Sequence, residues 1–312
     1  MPNFLQLLSS PTPLLADGAM GTLLHTHGVE HTHCFDELNL TAPARVADVH
    51  RQYIEAGAQI ILTNTFGANR YKLHKHGLDE KTAEINRAAV ALARRVVDAS
   101  FKPVLIAGDI GPLGVRLAPY GRVQLPEARA AFAEQISALT GVDLIVIETM
   151  TDVYETVEAI AAAKETLPET PVVATMTFTR DDRTLLGDDP AMVAVALRDA
   201  GADVIGVNCS GGPAQLIRIL REMRNAAPDA RFWVKPNAGW PEHVGGRVMY
   251  AAAPEYFRDY AVEFWKAGAN VIGGCCGTTP EHIAAMRKTL DSASSVTVEA
   301  VGTVAAQQAD SH

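Results

Sequence analysis

A single-domain (β/α)8 barrel, the TIM-barrel arrangement, is the fold class predicted for this 312-residue chain, on three observations. Eight short apolar runs rich in Val, Ile and Leu alternate with longer helical patterns, and continuous apolar strands separated by helices belong to a parallel sheet buried on both faces. The runs begin at residues 14, 60, 104, 144, 172, 204, 232 and 271, a spacing of roughly 30 to 45 residues that suits the βα units of an eightfold barrel. The helix-to-strand joints also repeat a cue. Ala56-Gly57-Ala58, Ala200-Gly201-Ala202 and Ala267-Gly268-Ala269 each stand just before a run, and Gly141 does the same. Glycine there can close a helix C-terminus in the left-handed conformation.

In chain order, the expected strands are Leu14–Asp17, Ile60–Asn64, Val104–Asp109, Leu144–Glu148, Val172–Thr177, Val204–Asn208, Phe232–Lys235 and Val271–Gly274. Asp189-Pro190, Gly212-Pro213 and Thr279-Pro280 mark helix starts, because proline's missing N–H costs nothing in a first turn. Apolar stripes follow at helical spacing: Leu216, Ile217, Leu220 and Met223 on one, Tyr256, Tyr260, Phe264 and Trp265 on another. The barrel is assigned to residues 1–290. The Ser/Ala-rich stretch 291–312 loses the pattern and is read as a frayed C-terminal appendage.

A hydrophobic content of 48% supports one large core. The formal net charge of −9 speaks against nucleic acid or an anionic membrane surface as a partner. No apolar run approaches the roughly 20 residues that span a bilayer. The start Met1-Pro2-Asn3-Phe4 lacks the basic and apolar segments of a signal peptide. Four cysteines do not make a disulfide framework, and they suit a reducing cytoplasm that keeps thiolates available for metal.

In such barrels, chemistry gathers where the strands end. Those ends carry Asp17, Thr63-Asn64-Thr65-Phe66, Asp109, Glu148-Thr149, Thr177, Cys209, Lys235-Pro236-Asn237 and Cys275-Cys276. Adjacent cysteines close only a strained disulfide ring, so a shared metal ion explains them better. Cys209 ends strand six as the pair ends strand eight. Three thiolates with a fourth position left for a substrate is an arrangement of catalytic Zn2+. The alternative is that Cys209 is a small core residue and the pair incidental.

Asp17 opens the turn Asp17-Gly18-Ala19-Met20-Gly21, whose amides could hold a carboxylate, and Glu148 faces it across the rim. The two acids and the amides would clamp an amino acid; alternatively, Asp17 caps a segment and Glu148 pairs with a barrel arginine. Lys235 could form a Schiff base, although Pro236 follows it directly and such chemistry needs no thiolates. Gly273-Gly274 and Gly277-Thr278 could cradle a phosphate, but the cysteines interrupt that loop. The cluster His25-Thr26-His27 and His31-Thr32-His33-Cys34 is metal-capable in composition, yet is read as solvated surface with Cys34 a spare thiol.

Taken together, Asp17-Gly18-Ala19-Met20-Gly21-Thr22, Thr63-Asn64-Thr65-Phe66, Gly206-Val207-Asn208-Cys209 and Gly273-Gly274-Cys275-Cys276-Gly277 resemble the signatures of the zinc-dependent homocysteine S-methyltransferase family over about residues 10 to 290. The resemblance implies a (β/α)8 barrel, methyl transfer to L-homocysteine giving methionine, and zinc held by Cys209, Cys275 and Cys276. It also implies that Asp17 and Glu148 hold the homocysteine ammonium and amides around Gly18, Ala19 and Met20 its carboxylate, with Thr63 and Asn64 lining the site.

Lys235-Pro236-Asn237-Ala238-Gly239 and Thr63-Asn64-Thr65-Phe66-Gly67 look most like the homocysteine module of cobalamin-dependent methionine synthase and of reductase-fused homocysteine methyltransferases. In that subgroup the matching asparagine, Asn237 here, is a candidate resting zinc ligand. The betaine-using branch has a tyrosine after the glutamate and a long C-terminal arm; this chain has Thr149 and no such arm. A cobalamin-binding Asp-x-His-x-x-Gly pattern is absent, since Asp48-Val49-His50 lacks the glycine. The implied donors are therefore S-methylmethionine, S-adenosylmethionine or a methylated corrinoid or folate system that arrives separately. Betaine or another onium compound, or a non-catalytic zinc module, is the alternative.

Overall fold

The computed structural model describes residues 3–30, 32–244 and 247–309, with 243–244, 247 and 295–309 as backbone only. His31 of the histidine cluster and residues 310–312 of the tail lie outside the described residues.

The eight expected runs are all strands: β1 (Leu14–Leu15), β2 (Ile60–Leu62), β3 (Leu105–Ile110), β4 (Leu144–Met150), β5 (Val172–Met176), β6 (Val204–Cys209), β7 (Phe232–Pro236) and β8 (Val271–Ile272). They pair in parallel in the order β1-β8-β7-β6-β5-β4-β3-β2. The ring closes between β1 and β2, where Gln59 N–H donates to Leu15 O at 2.7 Å and Asp17 N–H to Ile60 O at 3.0 Å. β1 and β8 are shorter than their apolar runs, yet the ladder continues: Gly273 N–H reaches Val234 O and Gly274 N–H reaches Asp17 O.

Eight longer helices follow the strands: α1 (Pro43–Glu55), α2 (Thr82–Ser100), α3 (Leu125–Ser137), α4 (Val153–Thr166), α5 (Pro190–Asp199), α6 (Pro213–Ala226), α7 (Pro254–Lys266) and α8 (Pro280–Ala309). The joint glycines behave as expected; Gly57, Gly141, Gly201 and Gly268 have φ of 101°, 94°, 93° and 95°. Proline opens α5, α6 and α8 as its position in the sequence suggests. α8 runs past Leu290 as helical backbone to Ala309.

The stripe Leu216, Ile217, Leu220 and Met223 is buried on α6. The stripe expected on α7 is buried only in part: Phe264 is in the core and Tyr260 and Trp265 pack against it, but Tyr256 does not belong. Phe257, Ala261 and Phe264 face the core, while Tyr256 is exposed and packs at a tilt against Tyr260 with ring centroids 4.8 Å apart. The two faces lie only one residue apart on the helical wheel, so ring size misled the reading. An antiparallel hairpin, Glu242–Val244 with Arg247–Met249, fills the β7–α7 connection and has no counterpart in the expected elements.

At the N-terminal end of the barrel, Phe4 packs edge-on against Trp233 with centroids 6.5 Å apart. Leu14, Ala16, Ile60, Val146, Val173 and Val271 surround them in one buried cluster. This plug leaves the opposite end for chemistry. Among the described residues no helix is long and apolar enough to cross a membrane.

Gly206, beside Trp233 in the β6–β7 ladder, has no room for a side chain: an added Cβ would lie 1.9 Å from Trp233 O. Backbone held on both sides by strand pairing cannot step aside. Gly206→Ala is therefore expected to lower unfolding free energy by about 3 kcal/mol or more. An unchanged denaturant midpoint would contradict this account of the β6–β7 contact.

Candidate active site

The three cysteines converge although 65 residues of chain lie between Cys209 and Cys275. β6 delivers Cys209 and the turn after β8 delivers Cys275 and Cys276. Their sulfurs all lie within 4.8 Å of one another, with Cys209 Sγ and Cys276 Sγ 4.0 Å apart. No disulfide joins them. Sulfurs on a tetrahedral zinc with 2.3 Å bonds would stand about 3.8 Å apart, so a small contraction of this spacing would admit such an ion.

Cys276 is held well below the usual thiol range by hydrogen bonds from Cys209 and Cys275. Cys209 is pushed well above it by its hydrogen bonds to Cys275 and Cys276 and then by burial. A soft dication fits this all-sulfur donor set and would replace their protons.

The local backbone is bent to aim these groups. Cys209 and Ser210 at the end of β6 take φ of 55° and 54°, and Thr149 at the end of β4 takes 59°. Non-glycine residues rarely adopt that conformation, and they persist in it where surrounding bonds over-determine it. Asn208 supplies several of those bonds. Its Oδ1 accepts from Thr149 N–H at 2.7 Å and from the Thr175 hydroxyl at 2.8 Å, while its Nδ2 donates to Thr149 Oγ1 at 2.7 Å and approaches Cys275 Sγ at 3.8 Å. Ser210 is fixed in turn: its N–H donates to Thr177 Oγ1, and its Oγ accepts from Phe178 N–H at 2.8 Å.

Beside the sulfurs lies a buried charge network. Lys235 Nζ stands 3.1 Å from Asp17 Oδ1 and 3.8 Å from Glu148 Oε2. Asp17 Oδ2 accepts the Leu62 N–H at 2.7 Å. Burial acts to lower the Lys235 pKa, but Asp17 and Glu148 outweigh it and hold the ammonium above the usual lysine range. Burial pushes Glu148 up to about 7 against the pull of Lys235. Lys235, the lysine considered for a Schiff base, is thus charged and paired, and it fills the role that the alternative reading gave to a barrel arginine.

One cavity of about 610 Å3 joins these groups. Asp17, Gly18, Ala19, Met20, Thr63, Asn64 and Glu148 line it together with Cys209, Cys275 and Cys276. Asn237 does not line it; Nδ2 donates to Ser210 O at 2.9 Å, and Oδ1 is buried without a partner. Thr63 and Asn64 serve the frame: Thr63 Oγ1 accepts from Asp109 N–H, and Asn64 Nδ2 donates to Phe35 O. Of the three amides expected to hold a carboxylate, that of Ala19 is already spent on Thr278 Oγ1 at 3.1 Å. Tyr53 pins the same turn by donating to Ala19 O at 2.8 Å. Gly18 must stay bare, since a Cβ there would meet Thr278 Oγ1 at 2.7 Å and Tyr53 OH at 2.8 Å.

His33 and Cys34, read from the sequence as solvated surface, also line the cavity with Phe66 at the end of β2, as do Phe35, Asp36 and Lys72, which had no expected role. Cys34 is buried rather than a spare surface thiol, and Asp36 holds the Gly67 N–H at 2.9 Å. Their signal was faint, a Cys-Phe-Asp run in a long connection between β1 and α1. His25 turns away to Val29 O.

Residues 14–290 match the homocysteine S-methyltransferase family. The chain belongs to that family. The methionine synthases of Mycobacterium leprae and Mycobacterium tuberculosis are 31% and 32% identical to it over 288 residues. Those alignments cover 86% of this chain and 24% of each synthase, so the chain spans about a quarter of their length. The metallated form of the homocysteine methyltransferase MmuM from Escherichia coli superposes with a TM-score of 0.76 at 26% identity, covering 90% of this chain and 98% of that one. Its apo form gives 0.69. The chain is therefore a barrel of the homocysteine S-methyltransferase family, and its cysteine cluster could hold a metal ion.

Proposed function

We propose that the chain transfers a methyl group to the sulfur of L-homocysteine, forming methionine, with Zn2+ held by Cys209, Cys275 and Cys276. The observation that carries this reading is the convergence of three sulfurs within 4.8 Å on the wall of a cavity that also holds Asp17 and Glu148. When bound there, zinc would supply the Lewis acidity that keeps the substrate sulfur a thiolate at neutral pH, where a free thiol with a pKa of about 8.5 is mostly protonated.

The chain's own residues do the rest. Three thiolates over-neutralise a dication, which preserves the nucleophilicity of a fourth sulfur. Glu148, beside the Asp17–Lys235 pair, receives the substrate ammonium, and the Gly18 and Met20 amides face its carboxylate. The barrel mouth aligns donor and sulfur for in-line displacement, and no general base is needed during the transfer itself. Asn237, between the two cysteine-bearing strands and with Oδ1 unpartnered, is the resting ligand to test.

The donor is proposed to be S-methylmethionine, S-adenosylmethionine or a methylated corrinoid or folate system, with betaine the alternative. Zinc-loaded protein and homocysteine, assayed against that panel, are expected to give methionine with one class. Zinc X-ray absorption should show an added sulfur when homocysteine binds. Coordination unchanged by homocysteine would leave a non-catalytic zinc module instead.

A further inference from the structure

Asn208, at the end of β6, is fully buried. A carboxamide offers two N–H donors and two acceptor lone pairs, and here all four are used. Oδ1 takes the Thr149 N–H and the Thr175 hydroxyl, and one Nδ2 hydrogen goes to Thr149 Oγ1. The other is directed at Cys275 Sγ, 3.8 Å away. The amide cannot be turned over to present its oxygen instead. A backbone N–H only donates, so the atom 2.7 Å from Thr149 N must be the oxygen. That fixes the N–H side toward the sulfur.

The backbone at Cys275 does not need this contact. Its N–H donates to Pro236 O at 2.8 Å, and its carbonyl accepts from the Thr278 N–H at 3.1 Å and the Thr278 hydroxyl at 2.6 Å. The β6 ladder does not need it either, because an apolar side chain would fill a buried strand position without the cost of desolvating an amide. What the amide does is join two parts of the site. One is Thr149, held at φ 59° directly after Glu148; the other is the Cys275 sulfur. They lie on β4 and on the turn after β8, strands that are not neighbours in the ring.

We propose that Asn208 is a positioning residue that holds Cys275 Sγ toward Cys209 and Cys276 and, once that sulfur is a thiolate, takes up part of its negative charge through an N–H···S bond. This rests on the metal reading above. Groups that hydrogen-bond a metal ligand fix its orientation and tune its donor strength. A thiolate held this way gives less charge to the ion than a bare one, which leaves the ion more attraction for an incoming fourth sulfur. Because the same side chain fixes Thr149, one residue sets both the sulfur cluster and the strand end that carries Glu148.

The test uses the full chain loaded with Co2+ in place of zinc, whose sulfur-to-metal charge-transfer absorption reads how firmly the sulfur electrons are held. Asn208→Asp keeps the oxygen that serves Thr149 and Thr175 but replaces the N–H donor with an oxygen. Asn208→Ser is neutral and too short to reach the sulfur. Both are expected to move the band to longer wavelength, because a thiolate without its hydrogen bond gives up electrons more easily. Asn208→Ser should also yield its metal to a chelator about 10- to 100-fold more readily. Thr175→Val is the control: it removes a different bond of the same amide, so it should lower the melting temperature and leave the band in place. A wild-type band in both Asn208 variants, or an equal shift in Thr175→Val, overturns the proposal. A wild-type chain that shows no charge-transfer band with Co2+ would instead remove the metal reading beneath it.

Discussion

Cys276→Ser is expected to lose bound zinc and methionine formation together, with metal affinity down by more than a hundredfold. Loss of a residue that merely orients a metal ligand costs about 10- to 100-fold, and here a ligand itself is removed. The hydroxyl of serine is a harder, far less acidic donor than a thiol, so it cannot replace a thiolate on a borderline-soft ion. Cys276 Sγ lies 4.0 Å from Cys209 Sγ and within 4.8 Å of Cys275 Sγ, so its loss opens the three-sulfur set. The fold should survive, because Cys276 is only half-buried and its backbone carbonyl still accepts from Ala238 N–H at 2.9 Å. Measuring zinc stoichiometry, turnover and circular dichroism on one preparation separates these effects. Full turnover in zinc-free Cys276→Ser would end the metal-based reading.

The fold was legible because each barrel strand is buried on both faces and so declares itself as an unbroken apolar run. The cysteine cluster was legible for a related reason: barrel topology brings every strand end to one rim, so residues at positions 209 and 275–276 can be placed together without knowing any distance. Connections obey no such rule. The segment from Gly21 to Ala42 folds back to put Cys34, Phe35 and Asp36 on the cavity wall, yet its spacing carries no period from which that return could be read. Lys235 was visible as a strand-end lysine but not as a paired one, because a buried ion pair depends on which strands are neighbours. β7, β8 and β1 adjoin in the ring, and only that adjacency sets Lys235 against Asp17. The buried face of α7 was legible only in part, because two apolar stripes overlap there: Phe264 belongs to both, whereas Phe257 and Ala261 were missed.

Lys235→Met carries the largest expected cost to stability at neutral pH. The substitution keeps an unbranched side chain of similar length but leaves Asp17, Glu148 and Asp109 without their shared cation. Breaking a buried ion pair from one side typically costs about 3–5 kcal/mol, because the remaining charge stays buried. The effect should depend on pH in a definite direction. Glu148 sits at about 7 in the folded protein against 4.5 ordinarily, and Lys235 is what restrains it. A carboxyl raised on folding contributes stability that is fully present below its unfolded pKa and is lost as pH rises through the folded one. With the lysine gone, the acids move further up. The deficit of Lys235→Met should therefore be small near pH 4.5 and grow through pH 7 and beyond. The lysine itself adds no slope there, since its raised pKa keeps it charged in both states well above neutrality. Denaturant unfolding of both proteins at pH 5 and pH 8 measures the difference. Adding Asp17→Asn to Lys235→Met should recover part of the loss, giving a coupling between the two sites. Equal stabilities at pH 8 would mean that the cation between the two acids contributes nothing to holding the barrel mouth together.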